Sequence, residues 1–275
     1  MTDSAKMFDL RGRVAILTGG AGLLGREYAA ALADAGAHVI IADINLHAAR
    51  NLALAITERV GIEARGVETD VSSKPSVQAM VEQTLARFGR IDILVNNAAL
   101  DPKFDPEHVE EHVNTFEDYP LELWNRSLAV NLTGMFLCAQ AVARPMLAQG
   151  KGVILNISSI YGLVGPDQRL YEKSNGEPVA YKPVDYSVTK SAVLGLTRYL
   201  ATYWAGKNIR VNTLTLGGVF NNHEDEFTRR YSYRTPLGRM AQKSEYCGAL
   251  LFLVSDASSY MTGANLTADG GWTAW

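Results

Sequence analysis

The chain has 275 residues, 47% of them hydrophobic and 20% charged, and a formal net charge of −3. That balance fits a soluble globular protein with enough apolar material for a sizeable core. No basic run stands out, which excludes the electrostatic footprint of a nucleic-acid or anionic-membrane binder, and no stretch approaches the ~18 apolar residues of a spanning helix.

Strand-length apolar runs alternate with helix-period stretches. Val14–Thr18 is a first strand that ends in glycines. An Ala-rich helix over 23–35 follows and stops at Gly36, a left-handed cap. His38–Asp43 is the next strand, Asn45 caps a helix to about Val60, and residues 64–70 are strand-like. Ser73 and Pro75 open a helix that ends near Phe88, with Gly89 as terminator. Residues 91–96 form a strand, 121–149 one long helix and 152–158 a strand. A helix over 184–205 and strands at Ile209–Leu216 and Asn265–Ala268 complete the pattern. Strand–helix alternation of this kind predicts one α/β domain over 1–275, a doubly wound parallel sheet of Rossmann type. Two stretches break the rhythm. Residues 101–120 are acidic and Pro-rich, and 166–183 are polar and aromatic. Loops of that length inside a compact domain are usually functional.

Cys138 and Cys247 sit in apolar, helix-like stretches and are expected to be buried thiols in a reducing compartment. Two cysteines are too few for a zinc knuckle. Residues 1–13 are polar and lack the apolar centre of a signal peptide, so the expectation is a cytoplasmic protein.

The first strand runs into Thr18-Gly19-Gly20-Ala21-Gly22-Leu23-Leu24-Gly25 and then a helix. Glycines allow a tight turn and close approach of backbone to a pyrophosphate, and the helix N-terminus favours its charge. The second strand ends at Asp43, where an acid accepts hydrogen bonds from a ribose 2′-hydroxyl and repels a 2′-phosphate. Ile44 follows it rather than Arg or Lys. The cofactor expected is therefore NAD rather than NADP. The competing reading of Asp43 is a helix-capping residue at a strand end. Tyr186 and Lys190 lie four apart in a helical stretch and share a face. An ammonium beside a phenol favours the phenolate and equips it for proton transfer. Alone, such a pair is common on helix surfaces.

The pair does not stand alone. Thr18–Gly25 turn, Asp43, Asp70-Val71, Asn96-Asn97-Ala98-Ala99, Asn131, Ser158-Ser159, Tyr186/Lys190 and Asp269-Gly270-Gly271 occur in one order over nearly the whole chain. In this the sequence resembles the short-chain dehydrogenase/reductase family, in its compact branch of about 250 residues. The resemblance implies an oxidoreductase in which Tyr186 is the general acid/base. Lys190 would lower its pKa and hold the nicotinamide ribose. Ser159, three residues before Gly162, would bond the reacting oxygen, and Asn131 would hold a water of the proton relay. Gly19, Gly22, Leu24 and Gly25 would carry the pyrophosphate, Asp70 and Val71 the adenine. Asn97 and Ala98 would flank the cofactor, and Gly217 and Val219 would pass the nicotinamide. Family members form dimers and tetramers, and the aromatic end 272–275 is a candidate interface.

Three departures from the family pattern stand out. Gly22 replaces a glycine usual at the position of Leu23, a spacing closer to the larger sugar-nucleotide-modifying branch. Leu216 stands where proline is usual and Asn221 where threonine is. Ser159 and Tyr186 are about twice as far apart as is common, and the surplus is the loop at 166–183. Its Gln168, Arg169, Tyr171 and Tyr181 suit a polar substrate, sugar-like or acidic; a surface loop or subunit contact is the competing reading. The expected reaction interconverts a secondary alcohol and a ketone with NAD(H). A sugar-nucleotide epimerase or dehydratase with bound NAD, or a non-catalytic NAD-sensing regulator, are the alternatives. His108, Glu111 and His112 fit a zinc-protease spacing, but an acidic, proline-flanked segment without a third ligand reads as solvated surface, and no metal is expected.

Overall fold

The structure, a computed structural model, describes residues 4–101, 115–172 and 181–275. Among these the strands β1 (Val14–Thr18), β2 (His38–Asp43), β3 (Ala64–Glu68), β4 (Ile93–Asn96), β5 (Gly152–Ser159), β6 (Ile209–Leu216) and β7 (Asn265–Ala268) form one sheet. Its order is β3-β2-β1-β4-β5-β6-β7, and every pair is parallel. The helices are α1 (Leu23–Asp34), α2 (Leu46–Val60), α3 (Lys74–Phe88), α4 (Leu121–Leu128), α5 (Gly134–Gln149), α6 (Val184–Tyr203), α7 (Asp225–Arg234) and α8 (Cys247–Val254). The expected doubly wound α/β domain is the observed one.

Strand residues alternate between two cores, as the two-residue period of a strand requires. Ala15 and Leu17 of β1 and Val39 and Ile41 of β2 face α1, α2 and α8. Ile16 and Ile40 face the other side, with Met80 of α3, Val142 of α5 and Leu200 of α6. Each fully buried Ile, Leu or Val contributes roughly 1.5–3 kcal/mol. The caps behave as composition predicts. Asn45 accepts from the Ala48 N–H, Ser73 from the Ser76 N–H, and Gly61 and Gly89 take left-handed conformations.

Several boundaries moved. The third strand ends at Glu68, because the Asp70 carboxylate turns back to accept from the backbone N–H and hydroxyl of Ser72. The expected continuous helix over 121–149 is interrupted by a π-helical turn, Ala129–Thr133, between α4 and α5. Cys138 is buried, but Cys247 is only half-buried. Trp272 is 2% exposed, which removes it as an interface residue, whereas Trp275 is open to solvent. Among the described residues no helix is long and apolar enough to cross a membrane. His108, Glu111 and His112 lie outside the described residues.

Strand order reverses between β1 and β4, each running to a neighbour on its far side. In such sheets the crevice beyond the carboxyl ends of the strands at this point receives ligands. The ends of β1, β4, β5 and β6 deliver Gly19, Asn97, Ser159 and Gly217 there.

Candidate active site

The glycine turn is built for close backbone approach. Gly19 has φ +60°, and a Cβ on it would lie 2.7 Å from the Ala98 Cα. A Cβ on Gly25 would lie 2.2 Å from the Gly19 carbonyl oxygen. Gly22 is the N-cap of α1 and offers no side-chain cap, so the first N–H groups of the helix point out beside the turn. Thr18 and Asn97 lock the turn to β4. The Thr18 hydroxyl accepts from the N–H groups of Asn97 (3.0 Å) and Ala98 (3.1 Å). The Asn97 amide donates to the carbonyls of Thr18 and Gly19.

Asp43 has a second task that its sequence position did not reveal. Its Oδ2 accepts from the Ala21 N–H at 3.0 Å, and its Oδ1 from the Asn45 N–H at 2.9 Å. It therefore ties the glycine turn to the end of β2. Helix capping is done by Asn45 instead. Val71 is buried against Gly134 at the start of α5. The segment after β6 is ordered without the usual proline. The Gly217 N–H donates to Ala268, and Val219 forms a short parallel bridge with Ala241. These features together fit a dinucleotide: a glycine cradle that a Cβ would fill, a helix N-terminus without a side-chain cap, and a carboxylate at the neighbouring strand end. Leu24, partly buried on the first turn of α1, sits between Gly22 and Gly25.

The reactive groups meet at the end of β5 and the start of α6. Ser158 and Ser159 point to different tasks. The Ser158 hydroxyl is spent on the Lys190 carbonyl at 2.8 Å. The Ser159 hydroxyl accepts from the Tyr161 N–H at 3.3 Å and lies near enough to the Tyr186 phenol to act on its pKa. The Lys190 Nζ donates to the Ile157 carbonyl at 3.1 Å and lies 5.7 Å from the Tyr186 ring centroid. Burial is the chief influence on both groups. It pushes the Tyr186 phenol well above its usual range, with the Asp101 carboxylate adding to the rise and Ser159 opposing it. It pulls the Lys190 ammonium down to about 8, with Asp101 opposing and Lys182 assisting. Desolvation is thus the dominant influence on the resting phenol, opposite in sign to the lowering that the resemblance implies for Lys190.

Asn131 lies on the π turn and is fully buried. Its Oδ1 accepts from the Leu100 N–H (2.7 Å), and its Nδ2 donates to the Leu100 carbonyl (3.0 Å). Weaker contacts reach Ser127 and Thr189. Its amide thus grips the chain leaving β4, a positioning task beside the water-holding one that the resemblance implies.

The polar loop also divides. Gln168 clamps the backbone of Lys182, accepting from its N–H (2.9 Å) and donating to its carbonyl (3.5 Å). Arg169 turns to solvent and pairs with Asp167, so the structure does not bring its guanidinium to the site. Tyr171 does face inward: its hydroxyl lies 3.3 Å from that of Tyr161, and its ring packs on Phe227. Ile160, Tyr161, Leu170, Tyr231, Met240 and Trp272 form an aromatic-rich wall against which Tyr171, Tyr186 and Phe227 pack. Helix α7 holds the loop down, Arg230 donating to the Arg169 and Glu172 carbonyls and Arg234 pairing with Asp167.

Sequence reading missed two charged residues here. The Lys182 Nζ lies 4.0 Å from the Tyr186 ring centroid and is ion-paired with Asp101. Neither belongs to a motif, and 81 residues separate them.

The family model described as enoyl-(acyl carrier protein) reductase matches residues 20–273. The D-threitol dehydrogenase of Mycolicibacterium smegmatis is 35% identical over 97% of this chain and 95% of its own. The cis-4-hydroxycyclohexanecarboxylate dehydrogenase of Sinomonas cyclohexanicum is 35% identical over 95% of this chain and 97% of its own. A crystal structure of a gluconate 5-dehydrogenase from Burkholderia cenocepacia, in complex with NADP and tartrate, superposes with a TM-score of 0.86 at 33% identity, covering 99% of both chains. With its seven-stranded parallel sheet, its glycine cradle and its Ser159, Tyr186 and Lys190 cluster, the chain belongs to the short-chain dehydrogenase/reductase family.

Proposed function

We propose that this protein is an NAD(H)-dependent dehydrogenase that interconverts a secondary alcohol and a ketone on a polar small molecule, sugar-like or acidic. The observation that carries this reading is the convergence of Ser159, Tyr186 and Lys190 beside the glycine cradle. Tyr186 transfers the proton. In reduction its neutral phenol donates to the carbonyl oxygen; in oxidation it accepts from the alcohol, and the ammonium groups of Lys190 and Lys182 then favour the phenolate. Ser159 donates a hydrogen bond to the same oxygen and holds the reacting carbon in place. A bound nicotinamide supplies the hydride chemistry. Gly19, Gly22, Leu24 and Gly25 would hold its pyrophosphate, Asp70 and Val71 its adenine, and Lys190, Asn97, Ala98, Gly217 and Val219 its nicotinamide half.

The preference for NAD over NADP rests on Asp43. Each of its oxygens keeps a lone pair beyond its backbone bond, enough to accept from a ribose diol, and its charge opposes a 2′-phosphate. The gluconate dehydrogenase neighbour, by contrast, holds NADP. We further infer a homodimer or homotetramer, with exposed Trp275, Tyr199 and Tyr203 among the candidate contacts; light scattering on purified protein tests this. Function is tested by a panel of polyols, sugars and hydroxy acids with NAD+ or NADP+, followed by absorbance of the reduced cofactor. Net NADH is the expected outcome. Substrate conversion without net NADH would favour an epimerase, and cofactor binding without any turnover a sensor.

A further inference from the structure

We propose that Lys182 is a specificity-determining residue that binds the carboxylate of a hydroxy-acid substrate, with Asp101 as the internal carboxylate that the substrate displaces. The proposal rests on the dehydrogenase reading above and narrows its substrate from polar molecules in general to carboxylates. Lys182 has no part in the cofactor cradle, yet its ammonium sits over the reactive phenol, 4.0 Å from the Tyr186 ring centroid and 6.0 Å from that of Tyr161. One small molecule can reach both the Tyr186 hydroxyl and this ammonium.

The surroundings argue against a purely structural ion pair. The Lys182 side chain is 12% exposed, whereas Asp101 is 49% exposed. A desolvated cation needs a partner, but here the partner itself is half in water, where the pairing gains least. Gln168 clamps the Lys182 backbone, accepting from its N–H and donating to its carbonyl, and so fixes the point from which the side chain reaches over the ring. Preorganisation of that kind lowers the cost of binding a ligand. Charge balance points the same way. Among the described residues Lys182 and Lys190 share one carboxylate, Asp101, which pairs with Lys182 and raises the basicity of Lys190 while Lys182 lowers it. A second carboxylate completes the balance. Among the described residues the neighbouring arginines are committed elsewhere: Arg169 of the loop and Arg234 of α7 to Asp167, and Arg230 of α7 to Glu226 and to backbone carbonyls. The remaining wall is rich in aromatic side chains, and the hydroxyls of Tyr161 and Tyr171 lie 3.3 Å apart within it.

Tartrate and threitol test this directly. They share a four-carbon diol core and differ in carrying carboxylate or hydroxymethyl ends. Each is titrated calorimetrically into the wild-type protein with saturating NADH, and into Lys182→Met, Lys182→Arg and Asp101→Asn. Lys182→Met is expected to weaken tartrate by about 10- to 100-fold, the worth of one hydrogen bond between charged groups, while threitol changes by less than about threefold. Lys182→Arg should recover part of the loss. Asp101→Asn should tighten tartrate, because it removes the competitor, a change opposite in sign to that of Lys182→Met. A structural ion pair predicts instead that both variants weaken tartrate and threitol together, and that result overturns the proposal. So does a wild-type protein that does not prefer tartrate over threitol. If tartrate binds through Lys182 but no hydroxyl compound reduces cofactor, the dehydrogenase reading falls and the carboxylate site stands.

Discussion

Replacing Asn131 with alanine separates two accounts of that residue. The side chain is fully buried on the π turn, and its two short hydrogen bonds satisfy both the N–H and the C=O of Leu100. Alanine leaves that donor and that acceptor unpaired in the interior. Each unsatisfied group costs about 1–3 kcal/mol, so the loss should be about 2–5 kcal/mol. In a domain of this size each kcal/mol lowers the melting temperature by about 2–4 °C, which predicts a drop of about 4–20 °C. Turnover should fall as well, because Leu100 precedes Asp101, whose carboxylate acts on both Tyr186 and Lys190. Calorimetric melting beside steady-state kinetics reads both effects. A variant that melts within about 2 °C of the wild type yet loses its activity would refute the positioning role, and would favour a residue that acts only through a held water.

Three further outcomes are expected. Asp43→Asn keeps one acceptor but removes the charge, so the ratio of NADH to NADPH affinity should shift toward NADPH by about 10-fold or more in a fluorescence titration; an unchanged ratio would remove Asp43 as the discriminator. Gly25→Ala places a methyl group where the Gly19 carbonyl lies 2.2 Å away, so the turn must open and NADH affinity should fall at least about 10-fold; retained affinity would mean the turn is not the pyrophosphate cradle. Lys190 is depressed to about 8 by burial, so the unfolded chain binds its proton more tightly than the native protein between about pH 8 and 10.5. Native stability should therefore rise over that window relative to Lys190→Met, on the order of 1–3 kcal/mol, in denaturant titrations at both ends; parallel curves for the two proteins would contradict a buried ammonium.

Much of this site was legible because local chemistry encodes it. A glycine turn between strand and helix, a carboxylate at the next strand end, and caps such as Asn45 and Ser73 are local signals, and the structure places them as read. Ser159 is singled out from Ser158 only by the family pattern of a serine three residues before a glycine, here Gly162. What stayed hidden depends on contacts distant in sequence. No glycine lies within 129–133 to announce the π turn; the grip of Asn131 on Leu100 accompanies it. Lys182 and Asp101 meet only because the fold brings the ends of two irregular segments together over Tyr186. Helix α7 is strongly polar and carries its apolar contacts on Phe227 and Tyr231, too few to mark a period yet spaced to share a face. Arg169 misled for the opposite reason: its type suits an anion, but Asp167, two residues away, claims it first.

The central claim is that Tyr186 moves the proton of a dehydrogenase reaction. Its most direct test is Tyr186→Phe, which removes one hydroxyl and leaves the ring against the aromatic wall. With a substrate taken from the panel, kcat should fall by about 10²- to 10⁴-fold while the Kd for NADH, measured on the same sample, stays within about twofold. Turnover near the wild-type rate in that variant would contradict the account.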